Sequence, residues 1–163
     1  MRQILTIATL CAFVLGTMPG PAWAASPHFI SASASVDNTG NLVATFKEAG
    51  LGTTTTTEVI TLSANASATY FCVNGGGKHP SATNKETVTA PVSAGGSFPV
   101  SNGQTTGSLS AKPPGPGTFS CPSGQTLDLV SVSYTSVELT GLAGDTANIP
   151  GTFSKCLDTR FCS

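Results

Sequence analysis

Charge is scarce in this 163-residue sequence: 9% of residues are Asp, Glu, Lys or Arg, and the net charge is −1. Gripping nucleic acid takes a basic stripe that displaces phosphate counterions, and this chain has none, so nucleic acid is excluded as an expected partner. Histidine is scarcer still, with only His28 and His79. A nucleophile–base site needs Ser or Cys beside a His that a carboxylate orients. His28 lies near the start of the mature chain and His79 precedes a proline in a glycine-rich stretch, and no Gly-x-Ser-x-Gly elbow accompanies either. There is no Cys-x-x-Cys pair, which removes the usual zinc and dithiol redox motifs. The Gly75-Gly76-Gly77-Lys78 run has Cys at position 72 and His at position 79, where a phosphate-binding loop needs Gly and then Ser or Thr. No catalytic residue, cofactor or metal is expected. Tryptophan is limited to Trp23.

The first segment reads as an address. Met1 and Arg2 open it, residues 4–16 are apolar apart from Thr6 and Thr9, and Pro19, Gly20 and Pro21 follow. Ala22 and Ala24 then place small residues at −3 and −1 of a signal-peptidase site. The apolar run falls short of the roughly 20 residues that a membrane span requires. Residues 1–24 are therefore expected to be a signal peptide and residues 25–163 a single exported domain with no membrane span. Removing the signal takes away Trp23, Cys11 and Arg2, leaving six basic and eight acidic residues and a net charge of −2.

Four cysteines remain: Cys72, Cys121, Cys156 and Cys162. An even number in an exported domain reads as two disulfides, of three possible connectivities. Cys72–Cys121 and Cys156–Cys162 are the favoured pairs. The first closes a long loop, and the second ties down the tail.

β-Branched and hydroxyl residues fill the segments between Gly, Pro and Asn clusters, and no stretch sustains a 3.6-residue apolar period. Residues 29–36 alternate, with Ile30, Ala32, Ala34 and Val36 expected on one face. The Asp37-Asn38-Thr39-Gly40-Asn41 cluster reads as a turn into a strand with Leu42, Ala44 and Phe46 on one face. Its oxygen-rich side chains resemble a calcium loop but lack the acidic density of one. Strands are expected at residues 58–63, 66–74, 85–92, 97–101 and 105–112, with Pro91 and Pro99 at edges or bulges. Ala68, Tyr70 and Cys72 share the expected core face, which puts Phe71 on the other. Between residues 127 and 139 the apolar parity changes twice, which calls for bulges near 129–130 and 135–136. A last strand falls within 146–155. The pattern predicts an all-β, antiparallel β-sandwich, immunoglobulin-like in general architecture, with a small β-barrel as the alternative.

The segments Phe46-Lys47-Glu48-Ala49-Gly50-Leu51-Gly52, Cys72-Val73-Asn74-Gly75-Gly76-Gly77-Lys78-His79-Pro80 and Asn84-Lys85-Glu86-Thr87-Val88 carry a resemblance, as do Pro113-Pro114-Gly115-Pro116-Gly117 and Cys121-Pro122-Ser123-Gly124-Gln125-Thr126-Leu127. Through them the chain resembles a group of small secreted proteins of uncharacterised function, mainly from actinomycete-type bacteria. The resemblance implies export and carries no activity or catalytic residue.

Phe29, Phe46, Phe119 and Phe153 are expected in the core. Phe71, opposing the Cys72 face, joins Lys78 and His79 as the candidate binding surface. The eight carboxylates are expected to be scattered solvating charges, and Asn65 begins an Asn-Ala-Ser glycosylation pattern. The favoured function is a secreted, non-catalytic binding or interaction module with a glycan or protein ligand. The alternatives are a small carboxylate-dependent hydrolase and a self-associating surface or matrix protein.

Overall fold

A computed structural model describes residues 26–74 and 84–162. The expected signal peptide lies outside the described residues, and so do Lys78 and His79. Eight strands follow in chain order: β1 (His28–Val36), β2 (Leu42–Ala49), β3 (Thr57–Asn74), β4 (Lys85–Pro99), β5 (Gln104–Ala111), β6 (Gln125–Gly141), β7 (Thr146–Ile149) and β8 (Phe153–Cys156). They form two antiparallel sheets, β1-β2-β5 and β4-β3-β6-β7, with β8 pairing β6 beside β7. The sheets pack face to face as a β-sandwich, and no barrel closes. No described helix is long and apolar enough to cross a membrane.

The sandwich follows from strict alternation. On β3, Ile60, Leu62, Ala64, Ala66, Ala68, Tyr70 and Cys72 point inward and are buried, while the residues between them face out. Ala66 pairs with Tyr134 of β6, so a small side chain lies beside the largest buried one. The Tyr134 hydroxyl donates to the Gly40 carbonyl at 2.6 Å and fastens this sheet to the hairpin turn of the other. That turn is built by Asp37, whose Oδ1 accepts from the Thr39 and Asn41 amides at 2.8 and 2.9 Å, while Gly40 takes a φ of 87°.

Both expected bulges in β6 are present: Val130 is extra between Ser131 and Leu129, and the register shifts again around Ser136, whose φ is 52°. Several boundaries differ from the sequence expectation. The segments 58–63 and 66–74 are one strand, because Ala64 and Asn65 keep the in–out alternation. Residues 85–92 and 97–99 likewise belong to one strand. Gly96 sits on its inner face, where a Cβ would lie 3.0 Å from Leu109 and Phe98. The expected last strand is two, β7 and β8, parted by Pro150 and Gly151. A register shift between Phe29 and Ser31 turns Phe29 inward against Phe46 and leaves Ile30 52% exposed, so Ile30 does not share the face of Ala32 and Ala34. Pro91 and Pro99 lie on β4, which pairs only with β3 and forms an edge of its sheet.

Both favoured disulfides are present, with Cα–Cα distances of 5.4 Å for Cys72–Cys121 and 6.0 Å for Cys156–Cys162. Cys121 lies in the connection between β5 and β6, so the first bridge ties β3 to that connection rather than one sheet to the other. Two disulfides fit an oxidising, extracellular-type environment.

Candidate functional site

The outer face of the larger sheet is rich in hydroxyls. Register places Thr89, Ser67, Ser133 and Ser154 side by side on β4, β3, β6 and β8. The next row holds Thr87, Thr69 and Ser131. Neighbouring strands lie about 4.8 Å apart, so each row repeats at that spacing. Cross-strand bonds order part of it: Thr89 Oγ1 donates to Ser67 Oγ at 3.3 Å, and the Thr69 and Thr87 hydroxyls are 3.2 Å apart. These side chains are outside because the even–odd alternation of β3 commits its apolar residues to the core.

The C-terminal tail turns this face into a groove. After β8, the Leu157 and Asp158 amides both donate to the Val130 carbonyl, at 2.7 and 3.2 Å. The bulge at Val130 frees that carbonyl from regular pairing, which gives the tail its anchor. The Cys156–Cys162 disulfide then closes the tail on itself. Phe161 is thereby set edge to face against Phe71, with ring centroids 5.4 Å apart and planes at 64°. The Arg160 guanidinium lies 5.1 Å from the Phe161 ring centroid. Arg160 also donates through Nε to Asp158 at 2.9 and 3.0 Å and reaches Asp128 at 3.8 Å. Those hydrogen bonds from Arg160, opposed by slight desolvation, hold the Asp158 carboxyl down at about 2. The resulting groove has a volume of about 460 Å³ and is lined by Ser67, Thr69, Phe71, Ser131, Ser133, Ser154, Lys155 and Phe161, with strand backbone and the disulfide as its floor and end.

Of the candidate surface residues, Phe71 therefore lines this groove. Phe161 completes its aromatic end, a residue that strand periodicity does not single out because the tail folds back over a long range. Asn65 is exposed in the same sheet face, between Pro91 and Thr135. His28 is exposed on β1, with Nδ1 2.9 Å from the Ser26 carbonyl.

The carboxylates are not all scattered. Glu48 follows the inward parity of Leu42, Ala44 and Phe46, and Glu58 that of Ile60 and Leu62; both are buried. Glu48 meets Asp145 of the β6–β7 turn at the far end of the sandwich, where burial first and then the charges of Asp145 and Glu58 push its carboxyl up. Glu58 Oε1 accepts from the Leu142 amide at 2.6 Å. Glu58 also borders a cavity of about 380 Å³ with Pro27, Leu51, Thr55, Thr57, Leu142 and Ala143. Among the described residues no group of three or more His, Cys, Asp or Glu is arranged to hold a metal ion. At the hairpin turn the Asp37 carboxylate is occupied by Thr39 and Asn41, and Asn38 Oδ1 accepts from Lys155 Nζ at 2.7 Å.

Comparison with protein-family models, curated proteins and solved structures finds no match.

Proposed function

We propose that the protein is a secreted, non-catalytic binding module whose groove takes a neutral, polyhydroxylated ligand, a glycan in preference to a protein. The observation that carries this reading is the row of hydroxyls on four neighbouring strands, closed at one end by Phe71 and Phe161. Ser and Thr hydroxyls donate and accept equally well, so they match the hydroxyls of a sugar without requiring charge. The phenyl rings offer an apolar wall to the C–H face of a sugar ring. The groove is open and shallow, suited to an extended chain that lies along the sheet. The signal-type N-terminus and the two disulfides support an extracellular location.

The carboxylate-hydrolase alternative draws on the meeting of Glu48, Glu58 and Asp145. Hydrolysis at a carboxylate pair needs both groups to reach the scissile bond and a water. Glu48 is 0% exposed and does not border the neighbouring cavity, so the groove is the better supported site. Calorimetric titration of the mature protein with soluble fragments of neutral polysaccharides tests the proposal. Saturable binding that weakens in Phe71→Ala supports it. Absence of binding across glucans, mannans, galactans and chitin fragments contradicts it.

A further inference from the structure

Glu48 is the penultimate residue of β2 and its side chain enters the sandwich, where it is fully buried. Outside this pair, no protein donor reaches either carboxyl oxygen of Glu48 or of Asp145. The two groups crowd the same point of backbone: a Cβ on Gly141 would lie 2.5 Å from Asp145 Oδ1 and 3.2 Å from Glu48 Oε1. Glycine at 141 is what lets the carboxyls approach.

The surroundings supply no cation. The register neighbours of Glu48 are Phe29 on β1 and Thr105 on β5, and the Thr105 hydroxyl donates to the Pro99 carbonyl at 2.9 Å. From β3 comes a further carboxylate, Glu58, and from the β6–β7 turn comes Asp145. Lys47 alternates to the opposite face of β2, and His28 is exposed, with its ring bonded to the Ser26 carbonyl. Among the described residues the ion pairs are those of Arg160, at the other end of β3. Carboxylates brought together out of water without a counterion disfavour full ionisation, which favours keeping a proton between them.

We propose that Glu48 and Asp145 form a proton latch, in which one shared proton joins the end of β2 to the 141–145 turn and its loss loosens that turn, which Glu58 still holds through the Leu142 amide. In the closed state the Glu48 carboxyl donates its O–H to the Asp145 carboxylate. Opening transfers that proton to water and leaves two carboxylates that repel each other and draw solvent in. The turn is short, held by a Gly144 N–H to Gly141 carbonyl bond of 3.0 Å and a Gly141 N–H to Asp145 carbonyl bond of 2.9 Å. It carries Leu142 and Ala143, which wall the cavity beside Glu58, so the latch also sets the shape of that cavity.

The direction of the pH effect follows from the group's surroundings. Burial first, then the charges of Asp145 and Glu58 and the hydrogen bond to Asp145, push the Glu48 carboxyl from its ordinary 4.5 up to about 7. A folded-state value above the unfolded one means the folded protein binds the proton more tightly. The latch contribution is complete below pH 4.5 and is lost as pH rises through about 7.

Thermal unfolding of the disulfide-intact protein, followed from pH 4.5 to 8.5 in wild type and Glu48→Gln, tests the latch. The wild-type midpoint is expected to fall by about 5 °C or more across this range. Glu48→Gln, neutral and nearly isosteric, is expected to hold a flat midpoint above the wild-type value at pH 8. A flat wild-type profile overturns the proposal, as does an unchanged slope in Glu48→Gln. Restoration of the wild-type midpoint at pH 8 by millimolar calcium, absent in Glu48→Gln, also overturns it, because the site then holds a cation and not a proton. If Glu48→Gln does not fold, a carboxyl-carbon NMR titration of the wild type decides. Titration of Glu48 near pH 7 supports the latch, and titration at its ordinary value overturns it.

Discussion

Phe71 on β3 and Phe161 in the C-terminal tail meet edge to face, with ring centroids 5.4 Å apart. Ninety residues of chain separate them, and two local devices bring them together. The bulge at Val130 offers a carbonyl to Leu157 and Asp158, and the Cys156–Cys162 disulfide turns the tail back. The aromatic end of the groove therefore depends on an irregularity in one strand and a covalent clip on another.

The two disulfides are expected to differ in what they stabilise. Cys72 and Cys121 are 49 residues apart, and Cys156 and Cys162 only 6. Loop-closure entropy then favours the first at about 4 kcal/mol and the second at about 2 kcal/mol. Urea unfolding of the two paired Cys→Ala variants measures the difference. The tail variant is expected to keep most of its stability yet lose the Phe71–Phe161 contact. A larger loss from the tail pair than from Cys72–Cys121 contradicts this ordering.

Tyr134→Phe removes one oxygen from the centre of the sandwich. It leaves the Gly40 carbonyl without the 2.6 Å bond that links the sheets. A buried acceptor left unpaired costs about 1–3 kcal/mol, so chemical unfolding should place the variant in that range. An unchanged midpoint would mean that the hairpin turn is not held through this bond.

Gly107 faces Phe98 so closely that a Cβ there would overlap the ring and come within 2.9 Å of Phe46 Cζ. Phe46 and Phe98 already meet edge to face at 4.9 Å. Gly107→Ala is expected to destabilise by about 1–3 kcal/mol through overpacking. Adding Phe98→Leu should recover part of that loss, and a double-variant cycle in thermal unfolding measures the recovery.

On the acid side, desolvation of Asp37 is outweighed by hydrogen bonds from Thr39 and Asn41, which hold its carboxyl at about 2 against an ordinary 3.8. A depressed folded-state value contributes stability above pH 3.8 that disappears as pH falls towards 2. Together with the Glu48 latch this predicts greatest stability between roughly pH 4 and 5. Asp37→Asn should flatten the acid limb of the midpoint-against-pH curve and leave the limb above pH 5 unchanged.

Much of the sandwich was legible in the sequence because a strand repeats every two residues. The inward set Ala68, Tyr70 and Cys72, the β1–β2 hairpin and both bulges of β6 follow from parity alone. The misreadings arise where parity is interrupted without a sequence mark. Phe29 and Ile30 are both apolar, so nothing announces the bulge that sends Ile30 outward. Gly95 and Gly96 resemble a break, yet both keep their pairing with β3, and at Gly96 Phe98 and Leu109 occupy the space a side chain would need. Phe71 stood out by opposing a core cysteine. Its partner Phe161 did not, because its position depends on where the tail folds in three dimensions. Glu48 and Glu58 share the parity of their apolar neighbours and are buried, against the expectation of scattered solvating charges. Their meeting with Asp145 is tertiary and has no local signature.

The most direct test of the proposed function compares wild type with Phe71→Ala in calorimetric titrations against the neutral polysaccharide fragments. The account predicts saturable binding to at least one glycan in the wild type. It predicts an affinity at least tenfold weaker in Phe71→Ala, about 1.4 kcal/mol, in a protein that still folds and loses only the stability of the Phe71–Phe161 contact. Binding of equal strength in both proteins, or none in the wild type, would contradict it.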